Sequence, residues 1–176
     1  FLIITEKTDF QIFLEKGGKW DTRTKIEYIN HLQQKLNTKS VYPVASTQGL
    51  VTSNFLSNYI DEEDLVKIVN NNEIYPVSNI SESTIVFHNE IGTYYTFESD
   101  KYGFNNPKNI IEDINGINIT LLGDSFTEGC CVPKGSDIGN KLRKKGFNVN
   151  NLGRSSSGIV HHNIVYREYS IPNKDF

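Results

Sequence analysis

The sequence predicts an α/β fold, a three-layer α/β/α domain built on a parallel sheet and preceded by an irregular α+β segment with a β-hairpin. Three observations predict it. Short apolar runs of strand type, "INITLL" and "FNVNNL", each end in a polar, glycine-bounded turn, "GDSFTEG" and "GRSSSG". Each turn leads into a helical stretch, "SDIGNKLRKKG" and "IVHHNIVYREYS", so the order is strand, loop, helix, repeated. Strands separated by single helices require right-handed crossovers and a parallel sheet covered on both faces. At 176 residues the chain can form one ordinary domain, or a small domain with an appendage, without disulfide staples.

Residues 1–107 form the amino-terminal helical and hairpin segment, and 108–176 the start of the α/β domain. In the first, "TKIEYINHLQQKL" sets Ile26, Ile29, Leu32 or Gln33, and Leu36 near one helical face, and Thr24 with Glu27 makes a capping box, predicting a helix over 24–36. A second short helix is predicted at "DEEDLVKIVN", where Asp61, Glu62, Glu63 and Asp64 favour the positive end of the dipole. These acids are consecutive and fan around the axis, whereas a calcium loop needs alternate ligands and a glycine at its bend. "STIVFHNEIGTYYTFES" predicts two strands around the turn "NEIG", closed by Gly92. Its aromatics, Phe87, Tyr94, Tyr95 and Phe97, suit packing on a pleated surface, with a sugar-stacking face as the alternative. His31 and His88 carry no sequence neighbours that suggest a ligand set and read as ordinary histidines.

The charge balance, 18 basic against 21 acidic residues for a net of -3, gives no electrostatic reason to expect a nucleic-acid partner. The two cysteines, Cys130 and Cys131, are adjacent; they form no disulfide framework and lack the spacing of a zinc site, so no metal and no cofactor are expected. They read as small, semi-apolar residues packed behind the "GDS" turn, a strained bond between neighbours being the alternative. No window reaches the run of about 18 apolar residues that a membrane span needs, and the opening "FLII" gives way at once to "TEKTD". With no methionine, the chain reads as processed or as a piece of something longer, and its compartment is not legible.

In a parallel sheet the working loops lie at the carboxyl ends of the strands, where both "GDSFTEG" and "GRSSSG" fall. A strand ending at Leu122, with Gly123 allowing the turn, would lift the Ser125 side chain onto that rim. A serine hydroxyl attacks only when a base takes its proton and donors await the oxyanion. The backbone N–H of Ser125 and one from the "SSSG" turn are the candidate donors. A competing reading is a non-catalytic module of flavodoxin-like fold that binds phosphate or carbohydrate, since hydroxyl-rich turns at helix starts also suit anions. Against phosphate stand the low glycine density and Asp124 beside the serine, which would repel an anion.

"ITLLGDSFTEG" resembles the first sequence block of the SGNH, or GDSL-type, serine hydrolases, and "NLGRSSSG", from Asn151, is similar to the second. "TFESDKYGFNNP" also resembles the segment that precedes the first block in bacterial members, and "WDTRTKIEYINHLQQKL" more faintly so; the resemblance spans about residues 94–170. It implies that Ser125 is the nucleophile and one oxyanion donor through its N–H, with Gly123, Asp124, Asn151 and Gly153 supporting the turns. The second donor falls on Ser156, with Gly158 as the alternative. Ser156 stands where the family has a glycine, and it serves only if its backbone suits the turn.

Other family parts are missing: a third block with an asparagine, and a late Asp-x-x-His carrying base and orienting carboxylate. No Asp-x-x-His occurs in the sequence. His161 and His162 are substitutes by position only, because helical neighbours point about 100° apart and at most one could face the rim. Pro172 followed by "NKDF" reads as the lead-in to a third strand, so the expectation is an amino-terminal portion of a longer hydrolase, with its histidine and aspartate beyond Phe176 and an uncovered sheet edge. The resemblance implies an ester hydrolase or acyltransferase acting through an acyl-enzyme on a small-molecule or carbohydrate ester, O-acetylated sugar among them, and exported or periplasmic relatives.

Overall fold

The computed structural model describes residues 11, 14–15, 17–44, 77–108, 110, 116–117 and 119–170. The acidic helix start at Asp61–Asp64, the "FLII" opening and the "NKDF" lead-in lie outside the described residues.

Helix α1 (Lys25–Leu36) begins at Thr24 as the sequence predicts, with both halves of the capping box made. The Glu27 N–H donates to Thr24 Oγ1 (3.2 Å), and the Thr24 N–H donates to Glu27 Oε2 (2.7 Å). Asn37, in the left-handed conformation at φ 51°, ends the helix by donating to the Gln33 and Gln34 carbonyls. The buried face differs from the predicted one: Ile29 is sealed, Tyr28 and Leu32 pack beside it, and Ile26 and Leu36 are exposed. The reason is tertiary, because the partners waiting for the helix are Val41, Val86 and Tyr94, and residues 28, 29 and 32 form the stripe that meets them.

Those partners lie on a three-stranded mixed sheet. Strand β1 (Val41–Pro43) pairs in parallel with β2 (Thr84–Val86), which pairs antiparallel with β3 (Thr96–Glu98). Side chains alternate across β2, so Val86 faces α1 while Ile85 joins Val44, Phe87 and Phe97 on the opposite face. Strand β1 is not foreseen from the sequence; Pro43 is tolerated because β1 is an edge. The predicted hairpin is present with shorter strands, Thr84 opposite Glu98 and Val86 opposite Thr96, and its connection runs through residues 87–95 with Gly92 at φ 89°. The sugar-stacking alternative is overturned. Phe87 and Phe97 are buried against each other with ring centres 5.3 Å apart, and Tyr94 stacks on Tyr28 while donating its hydroxyl to the Arg23 carbonyl.

Strands β4 (Ile119–Leu121) and β5 (Val149–Asn151) form a second, parallel sheet, Ile119 opposite Val149 and Leu121 opposite Asn151. Between them run α2 (Ser125–Glu128) and α3 (Ile138–Arg143), and after β5 comes α4 (Ile159–Tyr169). Asp137 caps α3 by accepting the Asn140 N–H (2.9 Å), and Gly146 at φ 91° turns the chain toward β5. The protein is therefore of the α/β class, helices interleaved with small parallel and mixed sheets. Among the described residues no helix is long and apolar enough to cross a membrane.

The segment after β3 ties the two sheets together. Asp100 accepts from the Tyr102 N–H (2.8 Å), the Phe104 N–H (3.0 Å) and the Asn106 amide (3.0 Å), which folds residues 100–106 into a compact turn. Asn106 then reaches β5: its amide donates to the Asn151 carbonyl (3.1 Å), and its Oδ1 accepts the Asn151 N–H (2.8 Å) and Arg143 Nη2 (2.5 Å). Phe104 adds an apolar anchor, packed with Leu152 and Val165. Asp100 and Asn106 thus satisfy one another and their neighbours, which is the condition for burying them at low cost, while Nη1 of Arg143 is buried without a partner.

Candidate functional site

The loops after β4 and β5 meet at one edge of the parallel pair. Leu121 ends β4, and within four residues the chain has turned into α2, whose first residue is Ser125. Asp124 is the cap: its Oδ1 accepts the Phe126 N–H at 3.1 Å, so its role is to hold the turn. Gly123 has no room for a side chain, because a Cβ there would come within 2.8 Å of Thr127 Cβ. Ser125 is half-exposed, and among the described residues neither its hydroxyl nor its N–H has a hydrogen-bond partner.

The second loop is fastened to the first. The Gly123 carbonyl accepts from the Arg154 N–H and the Ser157 hydroxyl, both at 3.0 Å. Asn151, fully buried, donates its amide to the Thr127 carbonyl (2.7 Å) and accepts the Gly153 N–H (3.0 Å). Gly153 lies against α2, where a Cβ would stand 2.6 Å from the Thr127 carbonyl carbon. Ser156 follows in an exposed turn with φ 60°, the left-handed region that a glycine occupies without cost. Gly158 is the N-cap of α4, extended and without a side-chain cap. The predicted residues thus collect at one rim: Ser125 and Ser156 outward, Asn151 and Gly153 beneath.

Among the described residues neither histidine of α4 is hydrogen-bonded to Ser125. His161 is buried and gives its Nε2–H to the Val77 carbonyl at 2.7 Å; burial holds its pKa below the ordinary value, so it is neutral. Nε2 of His162 lies 2.9 Å from the Ser157 hydroxyl, whose own proton goes to Gly123, so His162 is the donor in that pair. The two rings stand 76° apart with centroids at 6.3 Å, so only His162 turns to the side of the Gly123 carbonyl.

Glu128 is the residue that reading the sequence misses. It is completely buried, accepting the Asn79 amide on Oε1 (2.7 Å) and both the N–H (2.8 Å) and the hydroxyl of Ser155 on Oε2. Burial raises its pKa above the ordinary 4.5; the Ser155 and Asn79 hydrogen bonds and the nearby Arg154 oppose that rise without cancelling it. No local signal marks it, because its partners Asn79 and Ser155 come from distant parts of the sequence.

Three apolar side chains in or next to the two loops in sequence are strongly exposed. Phe126 is 78% exposed, and Ile159 and Val160, which follow the second loop, are 80% and 72% exposed. A cavity of about 200 Å³ lies elsewhere, lined by Phe97, Asn106, Gly129, Val132, Asp137 and Arg143 among others, and Ser125 does not line it.

No protein-family model matches the chain, and no curated protein or solved structure matches it.

Proposed function

We propose that the protein is a serine esterase or acyltransferase of SGNH type, in which Ser125 carries the acyl group and the parallel pair belongs to a three-layer α/β/α domain. The observation that carries this reading is the state of Ser125: a hydroxyl and an N–H without partners among the described residues, at the end of a parallel strand, on a turn held by Asp124, Arg154 and Ser157. Preorganisation of this kind is what an oxyanion site needs, since donors already fixed in place cost nothing to align as charge develops. Ser125 would attack the ester carbonyl as a base takes its hydroxyl proton, and the bond to the leaving alkoxide would break as the protonated base returns that proton to the leaving oxygen. The second donor in this reading is the Ser156 N–H, supported by its left-handed backbone, or the Gly158 N–H.

The exposed Asp124 carboxylate beside the serine favours a neutral acyl ester over a phosphate, because it would repel an anion. The test is labelling of the full-length gene product with a fluorophosphonate. Covalent labelling that is abolished by Ser125→Ala supports the proposal. Labelling that survives the substitution, or none in the full-length protein, removes it and leaves a binding module.

A further inference from the structure

On the face of the three-stranded sheet away from α1, the turn after α2 brings two thiols to a carboxylate from the hairpin connection. Adjacent side chains on a chain ordinarily diverge. Here Cys131 takes φ 63°, which turns both sulfurs to one side, 2.8 Å apart. The Cys131 thiol also points at Glu90, donating to Oε2 at 3.0 Å. The donor atoms of Glu90, Cys130 and Cys131 all lie within 4.8 Å of one another, with both cysteines half-buried and Glu90 exposed.

We infer that Cys130, Cys131 and Glu90 form a binding site for a thiophilic divalent cation of the Zn²⁺ or Cd²⁺ class. Two sulfurs and one carboxylate oxygen are three of the four donors of a tetrahedral site, leaving one position for water or another small ligand. Binding displaces one proton from each thiol, so two S–H bonds are replaced by two sulfur–metal bonds, and two protons leave to solvent. The sulfurs must part to about 3.7 Å to span a tetrahedral ion at Zn–S distances of about 2.3 Å, which side-chain rotation supplies. Closing instead into a bond between neighbours is strained, because their Cα atoms are held about 3.8 Å apart, below the usual disulfide span of about 4.4 Å or more.

The charges facing the cluster suit a cation. Glu90 is exposed beside the two half-buried thiols, so its carboxylate is the group that an incoming ion meets first. Lys25 is the opposing group, with Nζ 2.9 Å from His88 Nδ1. Its burial lowers its pKa to about 8, within reach of losing its proton when a metal arrives, and His88 is itself depressed by burial and by Lys25.

The experiment is titration of the reduced full chain with Cd²⁺, following the thiolate-to-metal charge-transfer absorbance and proton release. The expected result is saturation at one equivalent with about two protons released per ion. Cys131→Ser should weaken binding about 100-fold, and Glu90→Gln, a surface change that leaves the fold intact, about 10-fold. Ser125→Ala should leave it unchanged, which separates this site from the proposed esterase. The inference is overturned if one equivalent of Cd²⁺ produces no charge-transfer band, or if the Cys130→Ser/Cys131→Ser double variant binds as tightly as the parent.

Discussion

The loops that follow β4 and β5 look alike in sequence, each short, polar and bounded by glycines, yet they do opposite things. "GRSSSG" is largely interior: Gly153, Arg154 and Ser155 are buried, Arg154 completely. "GDSFTEG" shows its middle to solvent, with Asp124 and Phe126 exposed and Ser125 half-exposed, and buries only its end at Glu128 and Gly129. The inner loop spends its polar groups on the outer one, through Arg154 and Ser157 to Gly123 and through Ser155 to Glu128. The difference teaches that the exposed loop is held by its buried neighbour, whose Ser155 and Ser157 hydroxyls are both spent on it.

The comparison is broken most severely at Glu128, where the two loops join. Glu128→Ala removes the acceptor of the Ser155 N–H and hydroxyl and of one Asn79 amide bond in a buried interior, and a buried group that loses its partner costs about 1–3 kcal/mol, so urea denaturation should show a loss of about 3 kcal/mol. The carboxyl itself leaves a signature in pH. Its folded pKa lies above the unfolded value, so the stability it contributes is fully present below the ordinary 4.5 and is lost as pH rises through the folded value. Glu128→Gln should flatten that decline; an unchanged pH slope in the Gln variant would show that another group carries it.

Ser156 sharpens the contrast from the other side. A non-glycine residue at φ 60° pays roughly 1 kcal/mol for the close approach of its Cβ to the backbone. Ser156→Gly should therefore raise the unfolding free energy, by less than about 1 kcal/mol, since glycine also loses more chain entropy on folding. A fall in stability would mean that the Ser156 side chain holds the turn.

What could be read in the sequence was what neighbours decide among themselves. The Thr24–Glu27 box is complete within four residues, and the alternation from β4 to α4 follows from apolar runs meeting glycine-bounded turns. What could not be read depended on distant partners. Strand β1 exists because β2 lies beside it, and the face of α1 shifted from Ile26 to Tyr28 because Tyr94 was there to stack on. In the same way Cys130 and Cys131 lack the spacing of a metal site until the hairpin connection supplies Glu90. The position of Ser125 at a strand end was legible; the burial of Glu128 three residues later was not, since it rests on Asn79 from before the hairpin and Ser155 from beyond β5.

The smallest expected effect is the most diagnostic. A serine at a helix start is ordinarily kept for capping, and losing such a cap costs about 1 kcal/mol. Here the cap is Asp124, and the Ser125 hydroxyl contributes no bond to the described structure. Ser125→Ala should therefore change the unfolding free energy by less than about 0.5 kcal/mol, whereas Asp124→Ala should lower it by about 1 kcal/mol. If the two substitutions instead cost the same, the hydroxyl serves the turn, and the reason for reading it as a nucleophile disappears. If Ser125→Ala is silent in stability, the side chain has no structural task at the rim, which is what the proposed nucleophile requires.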